Sequence, residues 1–454
     1  MPTGTTFDTD ELVAQLKSAI DANQPDRVTT LAREAAPNQW AAIVPQLESS
    51  ELHAMVAILP EDLLIDLLSE IEPIEAARIL QTFSHPAAAD LLEAMAPDDA
   101  TDVIDELPAD HAEQILIQME PADAEEIREL LAYPSDSAGG IMTPGFVSIS
   151  PDLQASQAIA ALQRVSEEAE TMYYVYVVDE LEHLLGVLSL HRLVLTRKDT
   201  PMRELMVVDP VRVQATADRE TAARLLVDNN LLALPVVDAD NRLLGIITQD
   251  DVAEVLEDEA TEDIERLGGS QPLETPYRFA SIPLLFRRRI LWLLLLFAAE
   301  AYTGTVMRHF EDEIAQVVAL AFFVPLLIGT GGNIGSQVTT TLVRAIAVGE
   351  VQLRDVRWVL AKEAAVGVIL GLVMAVVAFG RAQLLHVGSD VGFVIALTIM
   401  CICIWSAAVA AILPLIIDRL KIDPAVVSAP LITTLVDGTG LVIYFTIAKR
   451  LLHL

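Results

Sequence analysis

Two periodicities divide the chain. Through residues 51–134 apolar positions recur at helical spacing in segments such as EDLLIDLLSEI, DDATDVIDEL and ADAEEIRELL, punctuated by Pro60, Pro73, Pro86, Pro97, Pro108, Pro121 and Pro134. Proline suits the first turn of a helix, where its missing N–H is not needed, and disrupts a helix interior. The pattern predicts a stack of short helices, an all-α solenoid-like domain. From about residue 287 the polar face disappears. Apolar runs at 289–307, 314–332, 363–385, 392–417 and 425–448 each approach the ~20 residues a helix needs to cross a bilayer. The second run continues, less regularly, through GNIGSQVTTTLVRAIAV.

Between these regions the sequence repeats itself. YVYVVDELEHLLGVLSLHRLV returns as LALPVVDADNRLLGIITQDDV, with Asp179 matching Asp238 and Gly186 matching Gly245, each 59 residues on. Upstream, IMTPGFVSISPD echoes LMVVDPVRVQAT. Each copy reads as strand, helix, strand, turn, strand, helix, and the pair resembles tandem CBS (cystathionine β-synthase) modules. An acidic helix follows, QDDVAEVLEDEATEDIERLGG, with nine carboxylates against Arg266. Like charges four apart, such as Glu254 and Asp258, oppose a bare helix. Either the face is simply solvated or a cation relieves it. The predicted division is therefore a helical domain at 1–134, the α/β CBS pair at 135–255, an acidic connecting helix and linker at 256–277, and a five-span α-helical membrane domain at 278–454.

Charge sharpens this division. Residues 278–454 carry 11 acids and 14 bases, whereas the preceding part carries 54 acids and 15 bases. Such a surface repels nucleic acid and attracts cations, although solubility in a salty cytoplasm accounts for acidity equally well. Cys401 and Cys403 sit in an apolar run and read as small buried hydrophobes. The start, MPTGTTFDTDELV, lacks a basic-then-apolar leader. An odd number of spans places the termini on opposite sides. With the N-terminal part inside, Arg287, Arg288, Arg289, Arg344, Arg354, Arg357, Lys362, Arg419 and Lys421 flank the inner face, against Arg308, Arg381, Lys449 and Arg450 outside. That bias predicts a multi-pass protein of the cytoplasmic membrane with soluble domains in the cytosol and an external C-terminus.

Candidate chemistry centres on Asp437, near the middle of the fifth span. An aspartate at such depth opposes insertion by roughly 2.5–3.5 kcal/mol and so marks an ion or proton route. Thr433 lies one turn earlier on its face, and Pro430 is placed to free backbone carbonyls. The stretch PLLIGTGGNIGSQ offers a small-xxx-small pair, Gly331 and Gly335, for close helix packing, and Asn333 and Gln337 as uncharged oxygens for pore support. Glu300, in the first span, either lines the route or pairs locally. One carboxylate holds a divalent ion weakly, but a twofold dimer brings two together around one path. Two aspartates with hydroxyl and carbonyl oxygens suit a largely hydrated Mg²⁺ better than Ca²⁺ or a softer metal.

The chain as a whole resembles the MgtE family of magnesium channels and transporters. The resemblance is carried by YPSDSAGGIMTP, EATEDIERLGG, FVPLLIGTGGNIGSQ and DPAVVSAPLITTLVDGTGLVIYF. It implies a homodimer in the lipid bilayer, with Mg²⁺ as both substrate and regulator and Asp437 as pore aspartate. It further implies a gate closed by cytosolic Mg²⁺ on Asp98, Asp99 and Asp102 and on Asp250, Asp251, Glu254, Glu259, Glu262 and Asp263. CBS modules that bind adenine nucleotides often carry Ser/Thr-x-x-Asp. The second copy has Thr248 and Asp251, but the first has Arg192 in place of the acid, which argues against ATP sensing there even though an arginine can meet phosphate. Rival readings are a proton-coupled divalent-cation carrier using Asp437 as a relay, and an intramembrane aspartyl protease. The protease needs a second membrane aspartate, which none of the five apolar runs supplies, so an enzyme is not expected.

Overall fold

The computed structural model describes residues 9–164, 173–273 and 275–454 and divides into two compact units, Met1–Glu257 and Asp258–Leu454. The first unit opens with helices α1 (Thr9–Asp21), α2 (Pro25–Glu34), α3 (Trp40–Ile43), α4 (Ser49–Val56), α5 (Glu61–Glu70), α6 (Pro73–Leu80), α7 (His85–Glu93), α8 (Pro97–Asp105), α9 (Ala109–Gln118) and α10 (Pro121–Leu130). The prolines do what their spacing predicts: Pro73, Pro97 and Pro121 occupy the first position of α6, α8 and α10, while Pro60 and Pro108 cap α5 and α9. Helices also pack on second neighbours, α5 on α7, α6 on α8, α7 on α9 and α8 on α10. One continuous apolar core runs from Leu12 to Ile127.

The duplicated region folds as two similar sheets. In the first, β1 (Ser148–Ile149) leads into α11 (Ala155–Leu162), β2 (Tyr174–Val178), β3 (Leu184–Ser189) and α12 (Leu190–Val194). Next come α13 (Met202–Leu205) and β4 (Val207–Val208). The second copy runs β5 (Val213–Gln214), α14 (Arg219–Asp228), β6 (Ala233–Val237), β7 (Leu243–Thr248) and α15 (Gln249–Leu267). In each copy the first strand pairs parallel to the next, which pairs antiparallel to the third.

The matched glycines reveal an exchange between the copies. The segment leading into the second copy pairs with the first sheet, Val208 opposite Gly186, and the segment leading into the first copy bridges the second sheet through Thr143 and Ile246. A Cβ on Gly186 would lie 2.8 Å from the Val207 carbonyl oxygen, and one on Gly245 would lie 2.8 Å from that of Thr143. Both glycines exist so that a backbone from the other copy can lie flat against them. The exchange extends to the cores, since Ala138 and Met142 are buried with the second copy and Met202 and Leu205 with the first.

The second unit holds five helices long and apolar enough to cross a membrane: α16 (Ile282–His309), a span over Val318–Ala347, α19 (Val356–Leu384), α20 (Ser389–Arg419) and α21 (Ala429–Leu451). The second span differs from the expected 314–332. Residues Glu311–Gln316 form a separate short helix, α17, and α18 (Val324–Ala347) is a regular helix through the glycine-rich stretch. Pro325 sits in its first turn, where it is tolerated, and Thr330 and Thr341 return their hydroxyls to the Leu326 and Gln337 carbonyls. Helix α20 packs along α18, α19 and α21, while α18 and α16 both lie against α21. Cys403 is buried and Cys401 partly so, both as free thiols.

Candidate ion site and acidic cluster

Helix α21 begins sharply. Ser428 caps it, its hydroxyl accepting the Leu431 N–H at 3.4 Å, and Pro430 occupies the second position. Pro430 therefore starts the helix rather than breaking it, and the carbonyl four residues before it, that of Val426, accepts the Ser428 N–H at 2.7 Å; within the first turn Thr433 Oγ1 donates to Ala429 O at 2.9 Å and Thr434 Oγ1 to Pro430 O at 3.0 Å. Eight residues into the helix, about 12 Å along its axis, Asp437 is 9% exposed, and Ile432, Val436 and Leu441 of the same helix are buried. Its Oδ1 atom is enclosed and meets no hydrogen-bond donor among the described residues. Buried polar atoms without partners are scarce in folded proteins, and an acceptor left this way is suited to a cation.

The glycines of α18 hold this helix in place. A Cβ on Gly331 would lie 2.8 Å from Val436, one on Gly332 2.8 Å from the Thr433 methyl, and one on Gly335 2.5 Å from Ile432. Ser406 of α20 donates to the Gly331 carbonyl at 2.6 Å in the same layer. Gly331 and Gly335 thus serve packing. Asn333 and Gln337 point the other way and are exposed, in line with Pro325, Gly329 and Arg344 at intervals of three or four. With the exposed Thr340 between Gln337 and Arg344, this leaves a small and polar stripe on the outer face of a membrane-spanning helix.

The remaining candidates form a second constellation, in the first unit. Asp98, Asp99 and Asp102 lie on α8, with Asp99 and Asp102 facing α15. Burial pushes the Asp99 carboxyl up to about 6, opposed by a hydrogen bond with Ser69 and reinforced by Asp251, Asp250 and Glu70. Asp102 keeps much of its surface open to solvent, yet crowding by protein pushes it to about 7, helped by Glu254, Asp99, Asp105 and Asp251. Burial also raises Asp251, against hydrogen bonds from the Thr248 hydroxyl at 2.7 Å and the Thr248 N–H at 2.9 Å. The structure thus brings together Asp99, Asp102, Asp250, Asp251 and Glu254. Glu259, Glu262 and Asp263 lie further along α15, in the second unit. Among the described residues no three His, Cys, Asp or Glu side chains converge as a preformed metal cage.

Sequence reasoning missed several members. Ser69 and Glu70, at the end of α5, join the acidic cluster with no local signal beyond their charge and polarity. Asp423, from the turn before α21, pairs with Arg266, as does the sequence-predicted Glu262. Glu313, 6% exposed, holds Lys449 at 2.5 Å. In the first CBS copy Ser189 only caps α12, accepting the Arg192 N–H at 3.3 Å.

A helical soluble domain and a duplicated α/β module, carried on one chain with five bilayer-length apolar helices, define an integral membrane protein with a large soluble part. Family profiles agree: "MgtE intracellular N domain" over residues 35–136, "CBS domain" over 138–198 and 202–258, and "Divalent cation transporter" over 324–447. The chain is 41% identical to a magnesium transporter MgtE of Thermus thermophilus, over 72% of this chain and 73% of that one. It is 35% identical to its counterpart in Bacillus subtilis, over 72% of both. The solved cytosolic domain of an Mg²⁺ channel MgtE in complex with ATP is 32% identical, with a TM-score of 0.51, covering 54% of this chain and 99% of that one. The chain belongs to the MgtE family.

Proposed function

We propose that the protein is a Mg²⁺-selective channel or transporter of the cytoplasmic membrane, working as a homodimer with its soluble domains in the cytosol and its C-terminus outside. The observation that carries this reading is Asp437: a carboxylate within a bilayer-length helix, one oxygen enclosed and unpartnered. A second chain supports the path. The exposed stripe through Gly329, Asn333 and Gln337 suits water and a facing copy better than acyl chains. A twofold axis that brought two Asp437 carboxylates around one route would give a dication that keeps its waters most of what it needs.

The acidic cluster supplies the gate. Ionised, Asp99, Asp102, Asp250, Asp251 and Glu254 repel across the α8–α15 contact. Bridged by Mg²⁺ they pack, and that difference in affinity shifts the population toward the closed form when cytosolic Mg²⁺ is plentiful. Glu259, Glu262 and Asp263 extend the same logic along α15. Thr248 and Asp251 also remain as a nucleotide site in the second CBS copy, in keeping with the ATP held by the solved relative. The functional division follows the sequence boundaries at 134, 255 and 277.

The test is Mg²⁺ flux into liposomes carrying the full chain. Wild type is expected to load a Mg²⁺ indicator, and Asp437→Asn to lose at least about 90% of that flux, because an isosteric amide keeps the packing but removes the charge. Equal flux in both proteins removes Asp437 from the path. Flux that follows an imposed proton gradient instead selects the proton-coupled carrier.

A further inference from the structure

Helix α16 approaches α21 where the buried aspartate lies, and it does so through glycine. A Cβ on Gly438 would fall 2.4 Å from Tyr302 Cδ1 and 3.5 Å from Thr303 Oγ1, so only a bare Cα lets α16 seat at the level of Asp437. Resting on the reading of Asp437 as the ion site, we propose that Glu300 and Thr303 of α16 complete that site, so that a hydrated divalent cation is held by two carboxylates from different helices of one chain, with a threonine hydroxyl alongside.

The pattern of α16 places these groups toward the bundle. Thr303 and Val306 are buried and Glu300 and Met307 half-buried, whereas Phe297, Ala301, Tyr302 and Thr305 are exposed. Residues three, six and seven apart share one helical face, so Glu300 belongs to the inward stripe. It lies in the apolar run ILWLLLLFAAEAYTG, and among the described residues no base forms an ion pair with it. One turn before Thr303, it stands on the helix that packs along α21.

Two further groups lack the partner that burial demands. Thr303 is 9% exposed with an enclosed, unpartnered hydroxyl, and Asp437 is 9% exposed with an enclosed, unpartnered Oδ1. They come from adjacent helices at one level. An enclosed carboxylate oxygen and an enclosed hydroxyl, both unpartnered and close to a second membrane carboxyl, are explained by one missing positive ligand. Oxygen-only donors select a hard cation, and paired charge favours a dication over Na⁺ or K⁺.

The experiment uses the full chain in liposomes, reading the half-saturating external Mg²⁺ concentration and the ratio of Mg²⁺ to Na⁺ flux. Glu300→Gln is expected to raise half-saturation about tenfold, as loss of one charge near a bound dication does, and to lower the Mg²⁺/Na⁺ ratio. Glu300→Asp recovers part of both, and Thr303→Val raises half-saturation by a smaller factor. A Glu300→Gln protein with wild-type half-saturation and selectivity, beside an inactive Asp437→Asn, overturns the role of Glu300 and leaves that of Asp437 standing. Wild-type behaviour in Asp437→Asn overturns both. If Glu300→Gln does not fold, Glu300→Asp and Thr303→Val decide, and unchanged half-saturation in both counts against the proposal.

Discussion

Replacing Asp99 with asparagine tests the acidic cluster directly. Half-buried on α8 and facing the acids of α15, this carboxyl keeps its proton up to about 6 instead of the ordinary 3.8. At 1.36 kcal/mol per pH unit, that difference opposes the ionised form by about 3 kcal/mol. The sign follows from linkage. The packed arrangement binds the proton more tightly than the separated one, so packing loses stability as pH rises from about 4 through about 6, and the full penalty is felt at pH 7.5. Asparagine keeps the shape and an acceptor for Ser69 but carries no charge. Amide hydrogen exchange on the full chain, without Mg²⁺ at pH 7.5, should show α8 and the first turns of α15 more protected in Asp99→Asn, by up to about a hundredfold. Millimolar Mg²⁺ should protect the wild type strongly and the variant less, because binding to the packed form alone stabilises it by mass action. At pH 5 the two proteins should converge once intrinsic exchange is corrected. Identical protection at pH 7.5 without Mg²⁺ would refute the idea that charge repulsion holds this contact open.

Two further outcomes follow from packing in the membrane unit. Gly335→Ala puts a methyl 2.5 Å from Ile432 and 2.9 Å from Ser406 Oγ, and should destabilise the detergent-solubilised protein by roughly 1–3 kcal/mol, read as a fall in thermal midpoint; Gly329→Ala, whose Cβ meets nothing within 4 Å, should leave the midpoint in place. Tyr444→Phe removes a buried hydroxyl that donates to the Leu320 carbonyl at 3.0 Å and should lower stability by about 1–2 kcal/mol in the same measurement.

Much of this architecture is legible along the chain because local chemistry dictates it. The prolines of the helical domain mark helix starts since a helix interior disfavours them, and the repeat exposes two copies of one module. Less is legible where backbone from a distant segment decides the matter. Gly186 and Gly245 read as matched positions, but nothing local says that each accommodates the other copy's leading strand. Gly331 and Asn333 sit two residues apart and face opposite ways, one into α21 and one outward, a distinction that needs the neighbouring helices. Pro430 looks like a helix break in an apolar run and turns out to begin α21, because the preceding turn is stabilised by Asp423 and Ser428. Glu262 and Arg266 are neighbours one turn apart on α15, but Asp423 joins them only once the chain has folded back on itself.

The crossing of leading segments in the CBS pair makes the duplicated region indivisible. A cut near residue 200 hands each fragment the wrong edge: one retains Thr143 without Ile246, the other retains Val208 without Gly186. Such halves would carry exposed ladder groups and half-filled cores, and would seek each other or aggregate. Whatever ancestral gene doubled, its descendants now inherit the two modules as a single knot of mutual dependence, in which a disturbance at one sheet is felt at the other without passing through solvent.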